Sequence, residues 1–216
     1  SKGGYHREAA EALLRLGQPG KAAELFLRAE DHEKAAVAFE QAGDTVRAAT
    51  LRGEQAFKSD RPGEAAAWFV KGRDYLRGAE LFESVGMMAE AAQAYEAGES
   101  WGPAGGVYMR AGLEERAAAA YEKAGELETA ATLFEKHGDL RRAADLFGRA
   151  GHTFKSGEAA ARAGDREKAI AAGCEGIVSK QALSRYRGGD TRAWLKIKPA
   201  EVRARQAEAI RKGFER

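Results

Sequence analysis

The chain has 216 residues, 44% of them hydrophobic, with 35 Lys and Arg against 33 Asp and Glu for a formal charge of +2. That length can bury a continuous core, and the even charge balance argues against a nucleic-acid or membrane-surface protein taken as a whole. One cysteine, Cys174, excludes an intrachain disulfide, no apolar run approaches the roughly 18 residues of a membrane span, and the opening Ser1-Lys2-Gly3-Gly4-Tyr5-His6-Arg7 lacks a signal peptide's apolar stretch.

The expectation is a soluble, cytoplasmic protein with no membrane partner. The charge is unevenly placed. From Gly173 to Arg216 there are 11 Lys and Arg against 5 Asp and Glu, whereas the preceding 172 residues carry 24 against 28.

A unit of 13 residues recurs from the start, beginning at Ala9, Ala22, Ala35, Ala48, Ala65, Gly78, Ala91, Ala104, Ala117, Ala130, Ala143 and Ser156. Its first two positions are mostly Ala. The fifth is Leu13, then Phe26, Phe39, Phe69, Phe82, Tyr95, Tyr108, Tyr121, Phe134 and Phe147, and the ninth is Gly in eight copies, from Gly17 to Gly164. Positions one, five and eight lie on one helical face, so each unit predicts a short helix with one buried stripe whose repeat core is that aromatic series. The glycine permits the left-handed residue that ends a helix, and the following Asp44, Asp139 or Asp165 can cap the next.

About ten helical residues span roughly 15 Å, too short to stand alone. Neighbours must supply the stability, so the fold class expected is all-α: an α-solenoid of short antiparallel helices, ending in a small β-hairpin and a terminal helix. Pro19, Pro62 and Pro103 agree with this register, since all fall between helices or in a first turn. Two stretches look softer. Four extra residues fall in 57–64, read as an inert longer turn, with a binding loop as the alternative, and four glycines with Pro103 between Gly98 and Gly106 suggest a hinge or loosened hairpin.

The Ala, Phe/Tyr and Ala at positions one, five and eight resemble the second helix of a tetratricopeptide repeat, over residues 9 to about 170. That resemblance implies a scaffold that binds protein or peptide segments. The sequence departs from the family in its period, with 26 residues per hairpin and one pattern for both helices rather than 34 residues and two. The four histidines, His6, His32, His137 and His152, show no metal-ligand spacing. With no nucleophile set or phosphate loop in the array, no catalytic residue and no cofactor are expected there.

Beyond Lys168 the period is lost, and residues 171–216 read as a separate segment after an array of 1–170. The segment Gly173-Cys-Glu-Gly-Ile-Val-Ser-Lys180, a Tyr186-Arg187 loop and Ala193-Trp-Leu-Lys-Ile-Lys198 read as two strands around Gly188-Gly189. They resemble the end of the adenylation domain of bacterial ATP-dependent DNA ligases. The resemblance implies nucleotide binding by Glu175, Lys180, Lys196 and Lys198, with Glu175 holding a metal and ATP and Mg as cofactors. Alternate strand residues Lys196 and Lys198 would face one phosphate together. The family's Lys-x-Asp-Gly nucleophile motif occurs nowhere in the chain, so no ligase activity is expected from it alone. Ala200, Ala204, Ala207, Ile210 and Phe214 then mark a basic helix, a possible DNA contact and otherwise an end-cap.

Overall fold

The computed structural model describes residues 2–174. Among them are thirteen α-helices and no strand. The chain divides into two compact units, Ser1–Leu113 and Glu114–Arg216.

The first unit holds α1 (Lys2–Arg15), α2 (Pro19–Arg28), α3 (His32–Gln41), α4 (Thr45–Lys58), α5 (Pro62–Lys71), α6 (Tyr75–Ser84), α7 (Met88–Ala97) and α8 (Trp101–Arg110). The second holds α9 (Glu114–Ala124), α10 (Leu127–Lys136), α11 (Leu140–Arg149), α12 (Thr153–Arg162) and α13 (Arg166–Ala171). Within each unit every helix packs on the next in sequence. The twelve sequence units are α1 to α12.

Each helix ends the same way. The residue at position ten donates its N–H to the carbonyl five residues back, an aromatic in most units: Asp31 to Phe26 at 2.9 Å, Asp44 to Phe39 at 2.8 Å, Asp74 to Phe69 at 2.9 Å, but Gln18 to Leu13, Arg61 to Ala56 and Asp165 to Ala160. That bond closes only if position nine is left-handed. All eight expected glycines, from Gly17 to Gly164, have positive φ. In the other turns the conformation is imposed on Glu30, Asp60, Arg73 and Glu99, with φ of 55 to 61°. Asp31, Asp44, Asp74, Asp139 and Asp165 then cap the following helices, each accepting from the backbone N–H three residues on.

The core is made of the small first and second positions and the large fifth. Phe26, Phe39, Phe69, Phe82, Tyr95, Tyr108, Phe134 and Phe147 are buried, and such a ring stabilises by roughly 1.5–3 kcal/mol. Tyr121 is only partly buried. Glu83 and Glu96 stand twelve residues before Tyr95 and Tyr108 and accept their hydroxyls, but Met109 stands twelve before Tyr121. A phenol without that acceptor keeps its polar end toward water.

The buried face is wider than the expected stripe. Position four is buried at Ala38, Ala94, Val107, Ala120, Leu133, Leu146 and Ala159, because within each unit a helix is covered by its sequence neighbours. Position eight lies at the helix end and is unevenly covered: Ala29 is buried, whereas Ala42 and Ala124 are exposed. Ser156 replaces the usual Ala at position one. Its hydroxyl is buried and satisfied by the carbonyl of Ala144 at 2.6 Å.

Three local expectations change. The four extra residues lengthen α4 to 14 residues by one helical turn, since 3.6 residues restore the same face. The turn that follows, Ser59 to Arg61, is as short as the others. The glycine-rich stretch forms α8 in full, with Ala104, Gly105, Val107 and Tyr108 buried, so packing on α7 outweighs poor helix propensity. Beyond Lys168 the unit persists in shortened form. Helix α13 loses about one turn, Gly173 supplies the left-handed residue, and the buried Cys174 donates its N–H to Ala169 at 2.8 Å. The expected hairpin and terminal helix lie outside the described residues.

Candidate interaction groove

Helices two apart lie side by side, and exposed ion pairs tie them with a spacing set by the 26-residue hairpin. Lys34 bonds Glu11 at 2.8 Å, Arg47 bonds Glu24 at 2.5 Å, and Arg77 approaches Glu54 at 4.0 Å, each 23 residues apart. A second series 27 apart joins Arg110 to Glu83, Arg149 to Glu122 at 3.4 Å, Lys155 to Glu128 at 2.8 Å, and Arg162 to Glu135. Each such pair is worth little by itself.

The cation at position thirteen of the unit does more than pair. Arg47, Arg77 and Arg142 lie over the rings of Phe39, Phe69 and Phe134 at 4.3, 4.0 and 4.2 Å, and Lys34 and Lys155 over Phe26 and Phe147 at 5.7 and 5.4 Å. One residue therefore closes an N-cap through its backbone, covers the preceding aromatic, and reaches a carboxylate two helices back. By sequence alone these charges read as solvated surface. The signal that finds them is the fixed separation of eight residues from aromatic to cation.

At the step from α3 to α5 this pairing is absent, as it is again from α5 to α7, where Ala67 and Glu90 hold the two positions. The position-three carboxylate of the earlier steps, Glu11 or Glu24, is replaced by Val37, and the position-thirteen cation is replaced by Glu64. Both residues line a cleft of about 280 Å³ between α3, α4 and α5. Glu64 turns to its own helix start and pairs with Arg61 at 2.6 Å. Val37 is left 43% exposed.

The cleft's other wall is Trp68, half-buried against the Ala56, Ala65 and Phe69 core. Arg52 and Lys71 lie against its ring at 4.9 and 4.4 Å, and Arg52 is held by Glu40 at 2.6 Å. The adjacent Phe69 seats because Gly53 carries no side chain: a Cβ there would stand 2.9 Å from its ring. A second cleft of about 320 Å³ shares Glu33 and Gln55 with the first and runs around the added turn of α4. It gathers Glu30, Asp31, Glu33 and Glu54 against Arg7 and Lys58. Arg7 is engaged with Asp31 at 3.3 Å, so this end of the groove is net negative.

The groove therefore has one end where Val37 and Trp68 stand among Arg52, Arg61, Glu33 and Glu64, and a net acidic end, joined over one helical turn. Such a surface binds by covering apolar area and matching charge; it offers no nucleophile paired with a base. Among the described residues no group of three or more His, Cys, Asp or Glu could hold a metal ion. Nor is any described helix long and apolar enough to cross a membrane. Glu175, Lys180, Lys196 and Lys198 lie outside the described residues. No family model matches the chain, and no curated protein matches it.

Proposed function

We propose that this chain is a non-catalytic protein-interaction scaffold built from helical repeats. The observation that carries the reading is the groove over α3, α4 and α5, where the ion pairs that join α1 to α3 and α2 to α4 give way to Val37, Trp68 and a string of carboxylates. Repeat arrays in which each helix packs on its neighbours leave long outer flanks free for extended contacts. The test is affinity purification with the full chain, followed by titration of each recovered protein in pure form. At least one saturable binary complex is expected. Absence of any such complex overturns the reading.

A second reading rests on the motifs Glu175-Gly-Ile-Val and Trp194-Leu-Lys-Ile-Lys198. In it the chain is a fragment or fusion of an ATP-dependent DNA ligase, the basic tail touches DNA, and the repeats recruit repair partners. ATP and Mg would be its cofactors. Incubating the full chain with labelled ATP and Mg separates the two readings, because a lysine-linked adenylate contradicts the non-catalytic scaffold.

A further inference from the structure

We propose that the groove around Trp68 and the last turn of α4 docks a partner's peptide segment bearing an arginine or lysine next to an apolar side chain. The cation seats among Glu30, Glu33 and Glu54, and the apolar group lies on Val37 and Trp68. The inference rests on the scaffold reading and names the surface and the chemistry of its guest.

The charge argument is a comparison within the chain. Along the regular ladder, Glu11 and Glu24 each meet a cation at 2.8 Å or less. In the groove Glu54 has only a 4.0 Å approach from Arg77, and Glu30 and Glu33 line the cleft with no ion pair among those of the described residues. A guanidinium or ammonium arriving here gains carboxylates that the fold has not already spent. A polyanion meets the same carboxylates as repulsion.

The apolar argument concerns shape. Val37 is exposed where the two preceding units carry Glu11 and Glu24, and Trp68 presents an indole already flanked by Arg52 and Lys71. An aliphatic or aromatic side chain laid there removes both from water, and aromatic residues of this kind anchor interfaces. Two clefts joined through Glu33 and Gln55 across α1, α3, α4 and α5 suit a chain of several residues rather than a compact small molecule.

The test is selection of a displayed library of random dodecapeptides on the full chain, followed by titration of the synthetic winners. Enriched peptides should share a basic residue beside an apolar one. Their affinity should fall at least about tenfold in Glu30→Gln/Glu33→Gln and in Trp68→Ala, with Val37→Ser weaker by a smaller factor. The exposed Glu30, Glu33 and Val37 variants should melt like the parent, which keeps the test valid even if Trp68→Ala unfolds. Acidic winners overturn the proposal, as do winners that bind Glu30→Gln/Glu33→Gln as well as the parent. In those cases the scaffold reading stands on another face. If no peptide is enriched and affinity purification also yields no binary complex, both fall.

Discussion

Gly78 and Val70 meet so closely that a Cβ on Gly78 would stand 2.6 Å from Cγ2 of Val70 and 3.0 Å from the carbonyl oxygen of Ala66. Gly78 occupies position one of its unit, where ten of the twelve copies carry Ala. Repeat consensus and helix propensity both favour Gly78→Ala, the latter by up to ~1 kcal/mol. The packing of α6 on α5 reverses the sign, since overfilling such a contact costs about 1–3 kcal/mol. A net loss of roughly 1–2 kcal/mol is expected in denaturant titrations. Gly20→Ala is the control: its nearest neighbour is Ala42 Cβ at 3.8 Å, so it should gain a few tenths. Equal midpoints for the two variants would refute the close approach of α5 and α6.

Gly98 and Glu99 show the same conflict one residue apart. The left-handed position is Glu99, with φ 56°, while Gly98 has an ordinary φ of −90°. Gly98 is small for another reason: a Cβ there would lie 2.8 Å from Cβ of Tyr75. Glu99→Gly should therefore raise stability by about 0.5–1 kcal/mol, because a non-glycine residue in this region carries a penalty of ~1 kcal/mol or more. Gly98→Ala should lower it by roughly 1–3 kcal/mol. Thermal melts of both variants check the pair, and opposite signs are the required result.

The repeat is legible in the sequence because one period of 13 carries the helix, its stop and its cap together. The ninth-position glycines and the aspartates after them all take the expected conformations. The extra turn of α4 is hidden because Ser59, Asp60, Pro62 and Gly63, all turn formers, cluster at its end and make the insertion look like a loop. Helix α8 is easily misjudged because propensity counts its glycines singly, whereas its burial depends on α7. The groove does not show in adjacent residues. Val37 and Glu64 are ordinary alone, and only their shared register, 27 residues apart across the insertion, marks the missing pair.

Arg142 tests whether position thirteen acts as a joint. Its guanidinium lies 4.2 Å over Phe134 and bonds Glu122 at 2.5 Å, while its backbone N–H is held by Asp139 at 3.1 Å. Arg142→Met keeps the backbone bond and much of the stem's packing. It should cost about 1 kcal/mol, from an exposed cation–π contact and one surface pair. Asp139→Ala should cost a similar ~1 kcal/mol through the cap. Raising salt should shrink only the Glu122 share. A double-mutant cycle of Arg142→Met with Glu122→Gln isolates that share, and no coupling at low salt would show the ion pair to be idle.

The acid limb of stability should come from the ladder's carboxylates. Lys136, and after it His137, hold the Glu114 carboxyl below its ordinary value by hydrogen bonding, and Lys155 with His152 does the same to Glu128. Lys34 lowers Glu11, and Arg47 lowers Asp44. A carboxylate whose folded pKa is depressed contributes stability above its unfolded pKa, and that contribution disappears as pH falls through the folded value. The melting temperature should hold steady down to about pH 4.3 and decline below it. Lys34 is shifted the other way, upward through Glu11, so its share should vanish only as pH rises past about 10.4. These groups are exposed, so high salt should flatten both limbs. Glu114→Gln combined with Glu128→Gln should make the acid limb shallower in melts run between about pH 2.5 and 6, a range that brackets the ordinary carboxylate value of about 4.3. An unchanged limb in that double variant would place the acid sensitivity elsewhere in the chain.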